Sequence, residues 1–235
     1  LPSVFPPYPN RKEFEIYATM HTAKEVGGDF YDFYFIDDDN LAFLMADVSG
    51  KGIPAAMFMM QSKTIIKSCA ESGMSVEEVF TASNEKLCEG NDAGMFVTAW
   101  MGILNVKTGK VLFANAGHNP PLVKHADGTY EYLKTRAGFV LAGMEGVRYR
   151  GNELELAPGD SIYLYTDGVT EATDASTQLY GEERLHTVLE KCKDAAPEVI
   201  CDEVKKDVDA FVGEAPQFDD ITMLALKYYG KEDAQ

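Results

Sequence analysis

Basic residues are scarce in this chain: 21 Lys+Arg stand against 38 Asp+Glu, a formal net charge of −17 over 235 residues. Phosphate backbones and anionic membrane surfaces are gripped by clustered Lys and Arg, so nucleic-acid binding and direct membrane contact are excluded as main functions. Cysteine is rare as well. The four, Cys69, Cys88, Cys192 and Cys201, show no CxxC spacing and no pairing with His, and read as buried reduced thiols. Long apolar runs are missing. The longest charge-free stretches, 93–106 and 111–123, have 14 and 13 residues, short of the roughly 18 that span a bilayer. No secretory leader is recognisable. The first residue is Leu rather than Met, so the chain reads as a piece of a longer one with a sensor or anchor upstream.

What is present suffices for a core: 46% of residues are hydrophobic and 11% aromatic, which also separates the acidity from disorder. Residues 1–12 hold four prolines near the start and form an extended lead-in. One domain is expected over 13–230, followed by a polar tail at 231–235. Glu13–His21 alternates as a strand. Asp29–Ile36 and Leu41–Val48 read as a hairpin around an acidic turn. A helix opens near Pro54 and runs to about Glu71, with Met57, Met59 and Met60 as adaptable core filler. Ser75 and Glu78 form a capping box for a second helix, which stripes Val76, Val79, Phe80 and Leu87 along one side. Three hairpins are expected next, around Lys107–Gly109, Ala126–Gly128 and Ala157–Asp160. Two amphipathic helices and a last strand, Ile221–Tyr229, complete an α+β pattern of packed sheets with helices outside.

Most carboxylates suit a solvated surface. Four do not. Asp47 ends the apolar run LAFLMAD, Asp167 ends SIYLYTD, Asp29 follows Gly27-Gly28, and Asp219-Asp220 precede ITMLAL. Buried carboxylates without partners are costly, and only Lys51 lies nearby in sequence. Any one Asp-Gly at a strand end is ordinarily a turn. Four such junctions together, all oxygen and without His or Cys, suit hard divalent cations and disfavour zinc.

The blocks GGDFYD (27–32), ADVSGKGIPAA (46–56), NAGHNPPLV (115–123), YTDGVTEA (165–172) and FDDITML (218–224) resemble the SpoIIE branch, with its RsbU-like regulators, of the metal-dependent PPM-type serine/threonine protein phosphatases. Five ordered blocks are far more specific than a lone motif. The resemblance implies two packed antiparallel β-sheets flanked by pairs of α-helices, and a centre of two Mn²⁺ or Mg²⁺ ions. Carried over residue by residue, Asp29 binds the first ion, Asp47 bridges both, and the Val48 backbone carbonyl completes the first site. Asp167 and Asp219 hold the second. Gly28, Ser49, Gly50, His118, Gly168 and Asp220 stand behind these ligands, with Glu171 either beside them or a helix-start charge.

The implied reaction is hydrolysis of phosphoserine or phosphothreonine by a metal-activated water, with no covalent enzyme intermediate. Ser49 stands where the wider family carries a His that is a candidate general acid. His118 stands where many relatives carry an Asp tied to a third metal. Both departures are usual for the SpoIIE branch. The implied substrate is a phosphorylated STAS-type anti-sigma-factor antagonist in a cytoplasmic partner-switching pathway; a dimer is left open, as is membrane tethering through an upstream segment. Met57, Phe58, Val79 and Phe80, on helices tethered directly to Asp47, are the expected regulatory switch. Two other classes compete: a non-catalytic partner-binding module of the same fold, and a cyclic-dinucleotide synthase. GGDFYDF superficially resembles the GGDEF signature of such synthases, but Phe30 occupies the catalytic Glu position.

Overall fold

The strand order in this computed structural model, which describes residues 1–126 and 128–230, gives two separate five-stranded antiparallel sheets. In chain order the strands are β1 (Phe14–His21), β2 (Phe30–Phe35), β3 (Asn40–Val48), β4 (Val97–Asn105), β5 (Lys110–Ala116), β6 (Leu122–Lys124), β7 (Tyr130–Tyr132), β8 (Asn152–Glu155), β9 (Ser161–Tyr165) and β10 (Ile221–Tyr228). The helices are α1 (Ile53–Glu71), α2 (Val76–Cys88), α3 (Asp167–Thr170), α4 (Gly181–Lys191) and α5 (Pro197–Val212). Contacts divide the chain into two units. One comprises Leu1–Pro2, Lys24–His118 and Lys134–Glu155; the other comprises Ser3–Ala23, Asn119–Leu133 and the chain from Leu156 onward. The expected polar tail at 231–235 lies outside the described residues, as does Asp127 in the second hairpin turn.

The first unit holds the sheet ordered β2-β3-β4-β5-β8. Side chains alternate along its strands, so each face collects every second residue. Ala42, Leu44, Ala46 and Val48 of β3 join Phe58, Ile66, Val79 and Phe80 of α1 and α2 in one core cluster. The opposite face carries Phe43, Met45 and Trp100, all fully buried. There Trp100 stacks on Phe113 at 5.3 Å and leans on Phe43 at 5.5 Å. Asp47 belongs to this second face, in step with Phe43 and Met45. The Ser75–Glu78 capping box forms as expected, the Ser75 amide donating to Glu78 Oε2 at 2.9 Å.

The second unit holds the sheet ordered β1-β10-β9-β6-β7. β9 is buried along its whole length and is paired on both sides, with β10 and β6. Tyr163, Tyr165, Met223 and Ala225 pack with Leu185 and Leu189 of α4 and with Ile200, Val204 and Val208 of α5. The proline-rich lead-in lies on β1, its Phe5 ring 4.7 Å from Tyr17 and its Tyr8 ring edge-on to Phe14. All four cysteines are free thiols, buried or half-buried, and burial pushes Cys192 up to about 11.

Two expectations are corrected. The third hairpin does not exist: β8 pairs with β5, whereas β9 pairs with β10 and β6 in the other sheet. β8 alternates half-buried with exposed residues, which suits an edge, while the fully buried β9 needs two partners. The α1 methionines are not core filler as a group. Met57 is 67% exposed and Met60 66%, because the buried stripe of α1 runs through Ala55, Phe58, Ser62 and Ile66 instead. Only Met59 packs against the core, and only in part.

Candidate metal centre

The first unit places its predicted ligands by strand register. Phe30 of β2 faces Ala46 of β3. One step further Asp29 faces Asp47, and one more sets Gly28 opposite Val48, whose amide donates to the Gly28 carbonyl at 3.3 Å. Directly opposed residues of an antiparallel pair project from the same face with Cβ atoms roughly 5 Å apart, and like charges there are destabilising. Asp29 is buried and Asp47 half-buried, so water screens this pair poorly. Two carboxylates so placed are the all-oxygen donor type that hard divalent cations take. A Cβ on Gly28 would stand 3.0 Å from the Val48 carbonyl oxygen. The missing side chain therefore leaves space in front of that oxygen.

On its other side Asp47 faces Thr98 of β4. The Thr98 hydroxyl lies 3.0 Å from His118 Nδ1. His118 is buried and clamped by Asn115, whose Oδ1 accepts the His118 amide at 2.8 Å and whose Nδ2 donates to the His118 carbonyl at 3.0 Å. Ser49 is engaged with the backbone: its amide donates to the Phe96 carbonyl at 2.8 Å and its Oγ accepts the Phe96 amide at 2.9 Å. Gly50 is exposed beyond it. Asp32, in the GGDFYD block, is buried and pairs with Lys63 of α1 at 2.8 Å. Sequence reading gave Asp32 no role, since its partner lies on a different element; its place in the block was the only available signal.

The second unit gathers the other carboxylates where β9 and β10 part. Thr166 is the last paired residue, its amide donating to the Thr222 carbonyl at 3.1 Å and its Oγ1 accepting the Thr222 amide at 3.2 Å. Asp167 then starts the single turn of α3, where an acidic residue suits the open amides. α3 ends at Thr170 and leaves Glu171 exposed past its end, so Glu171 is not a helix-start charge. A Cβ on Gly168 would overlap the Asp220 carbonyl, so only glycine lets this turn lie against the 219–220 backbone. Asp219 Oδ1 accepts the Asp220 amide at 2.9 Å. Asp220 is buried and accepts the Ala23 amide at 2.9 Å, tying β10 to the segment after β1. Gln217 braces the same corner, donating to the carbonyls of His21 and Asp219 at 2.7 Å each.

Among the described residues no three His, Cys, Asp or Glu side chains form a ready-made metal cage. In the second unit the Asp219 and Asp220 carboxylates each accept a backbone amide. Of the expected switch residues, Phe58, Val79 and Phe80 are buried and Met57 is exposed.

Two antiparallel five-stranded sheets carrying helices, with carboxylates at strand ends, define the fold class of the PPM (PP2C) protein phosphatases. Within that class the chain belongs to the SpoIIE family: residues 37–229 match the family of Stage II sporulation protein E. It is 30% identical over 245 aligned residues to protein IcfG of Synechocystis, covering 93% of this chain and 38% of that protein. To the phosphoserine phosphatase RsbU of Bacillus subtilis it is 34% identical over 164 residues, covering 69% of this chain and 48% of RsbU. The chain thus spans less than half the length of either relative. The crystal structure of the RsbU and RsbW domains of Rv1364c from Mycobacterium tuberculosis superposes with a TM-score of 0.80 at 25% identity, over 94% of this chain and 62% of that one. The fold alone is shared with the catalytic domain of PstP crystallised with two manganese ions, at TM-score 0.65 and 14% identity over 92% of this chain and 98% of that one.

Proposed function

We propose that this chain is a divalent-metal-dependent protein serine/threonine phosphatase domain whose substrate is a phosphorylated STAS-type anti-sigma-factor antagonist. The observation that carries the reading is the opposition of Asp29 and Asp47 across β2 and β3, beside a carbonyl that Gly28 leaves open. An all-oxygen donor set of this kind fits Mn²⁺ or Mg²⁺. The PstP neighbour was crystallised with manganese, which supports the same choice, and the relative RsbU, a phosphoserine phosphatase, supports the reaction.

In this proposal Asp29, Asp47 and the Val48 carbonyl would hold an ion in the first unit, and Asp167 and Asp219 would hold one in the second. When bound, the two cations supply an acidified water and neutralise the charge on the transferring phosphoryl group. Asp220 holds the backbone on which Asp219 is mounted. Ser49 keeps the chain in place just beyond Val48. The α1–α2 pair, joined to β3 by the short link from Ser49 to Gly52, is proposed to pass the state of an upstream sensor domain to Asp47. The proposed setting is a cytoplasmic partner-switching pathway; among the described residues no helix is long and apolar enough to cross a membrane.

The test is Mn²⁺-dependent release of phosphate from p-nitrophenyl phosphate and from a phosphorylated STAS protein. Asp47→Asn should lower both rates by about 100-fold or more, at the upper end of what disturbing a metal site costs. Hydrolysis undiminished by that change would overturn the metal-centre reading. Metal binding without turnover of any phosphoserine protein would instead favour a partner-binding module.

A further inference from the structure

The Asp29–Asp47 row does not stop at the carboxylates. Thr98 sits directly across β3 and β4 from Asp47 and shares its face, and His118 continues the row through its 3.0 Å contact with the Thr98 hydroxyl. Three features mark His118 as more than filler. It is 6% exposed, its backbone is gripped at both ends by the buried Asn115 side chain, and its ring is aimed at a hydroxyl rather than at solvent. A threonine in a strand ordinarily contributes shape and β-propensity. Here its hydroxyl meets an imidazole, on the sheet face that Thr98 shares with Asp47.

We infer that Thr98 and His118 are positioning residues for Asp47, a chain that fixes the orientation of the carboxylate. This rests on the metal-centre reading proposed above. With His118 Nδ1 protonated, the imidazole donates to Thr98 Oγ1, and the hydroxyl proton is left to donate toward Asp47. The Asn115 clamp holds the His118 backbone, so the Thr98–His118 contact is set before any ion arrives. A carboxylate steered in this way binds a cation with less ordering to undergo. Partners that orient metal ligands are worth roughly 10- to 100-fold in affinity or activity. This assigns the AGH part of the NAGHNPPLV block a mechanical task toward Asp47, with no need for His118 itself to touch an ion.

The test compares Thr98→Val, which keeps the shape and removes the hydroxyl, with Thr98→Ser, which keeps the hydroxyl. Mn²⁺ dissociation constants are read by electron paramagnetic resonance of free Mn²⁺, and folding by the melting temperature in chelator. Thr98→Val should weaken Mn²⁺ binding about tenfold while Thr98→Ser stays within about twofold of the parent. Both should melt near the parent in chelator. Equal affinity of Thr98→Val and the parent, or equal losses in the two variants, would overturn the inference. Should Thr98→Val fail to fold, His118→Asn against His118→Phe decides. Asn can present an amide donor near the Nδ1 position and should retain affinity, whereas Phe should lose it; no difference between them overturns the inference. Asp47→Asn separates the two levels. If it binds Mn²⁺ like the parent, the metal-centre reading fails; if it loses Mn²⁺ while Thr98→Val does not, only the positioning role fails.

Discussion

At the scale of single residues, two glycines leave room that a side chain would fill. Gly168 allows the start of α3 to lie on the Asp220 carbonyl, where a Cβ has no room. Gly28 is subtler. A Cβ there meets the Val48 oxygen at 3.0 Å and the Ala55 Cβ at 3.5 Å, tight but not impossible. Gly28→Ala should therefore fold, with its methyl covering the carbonyl proposed as a ligand. The expected outcome is a melting temperature in chelator close to the parent and Mn²⁺ affinity lowered about tenfold, read by calorimetric titration. Unchanged affinity would remove Val48 from the ligand set. The sequence marked both glycines through their neighbouring aspartates, but not what each approaches, because Val48 and Asp220 come near only after strands have paired.

At the scale of elements, register is the decisive quantity. The β2–β3 turn fixes Phe35 opposite Leu41, the ladder runs down to Phe30 opposite Ala46, and the Val48–Gly28 hydrogen bond carries the same register past Asp29 and Asp47. A shift of one residue would send one carboxylate to the helix-covered face. Alternation made the strands legible, and the capping box made the start of α2 legible. The partnership of β8 was not, since its neighbours are chosen by burial rather than by chain proximity. The exposed side of α1 was missed for a related reason: Met suits core and surface alike, and only packing against the sheet selects the stripe through Phe58 and Ile66. Two substitutions measure this. Phe80, fully buried and edge-on to Tyr149 at 5.8 Å, should cost about 3–5 kcal/mol as Phe80→Ala. Met57→Ala should stay within about 0.5 kcal/mol. Urea unfolding monitored by circular dichroism distinguishes them, and equal costs would contradict the packing described for α1.

At the scale of the whole molecule, an acidic chain is proposed to process a phosphorylated partner, which its charge of −17 would repel. Divalent cations at the proposed site would reverse the sign locally, and surface charge beyond about 8 Å is screened at physiological salt. Binding to the folded state alone stabilises it by mass action, about 2.7 kcal/mol at a hundredfold excess over the dissociation constant. Mn²⁺ should thus raise the melting temperature by several degrees in differential scanning calorimetry, and Asp47→Asn should abolish that increment. A shift that survives in Asp47→Asn would place the ions elsewhere.

The amino-acid sequence by itself determined the α+β class, the family and the carboxylates at strand ends, because alternation, caps and motif blocks are local properties that survive without a fold. It left open which residues face one another. Asp29 against Asp47, Asp47 against Thr98 and Gly168 against Asp220 are pairings between distant segments, set by hydrogen-bond register and by the burial of whole strand faces. Those are decided only when the sheets form, and with them the chemistry that each carboxylate can do.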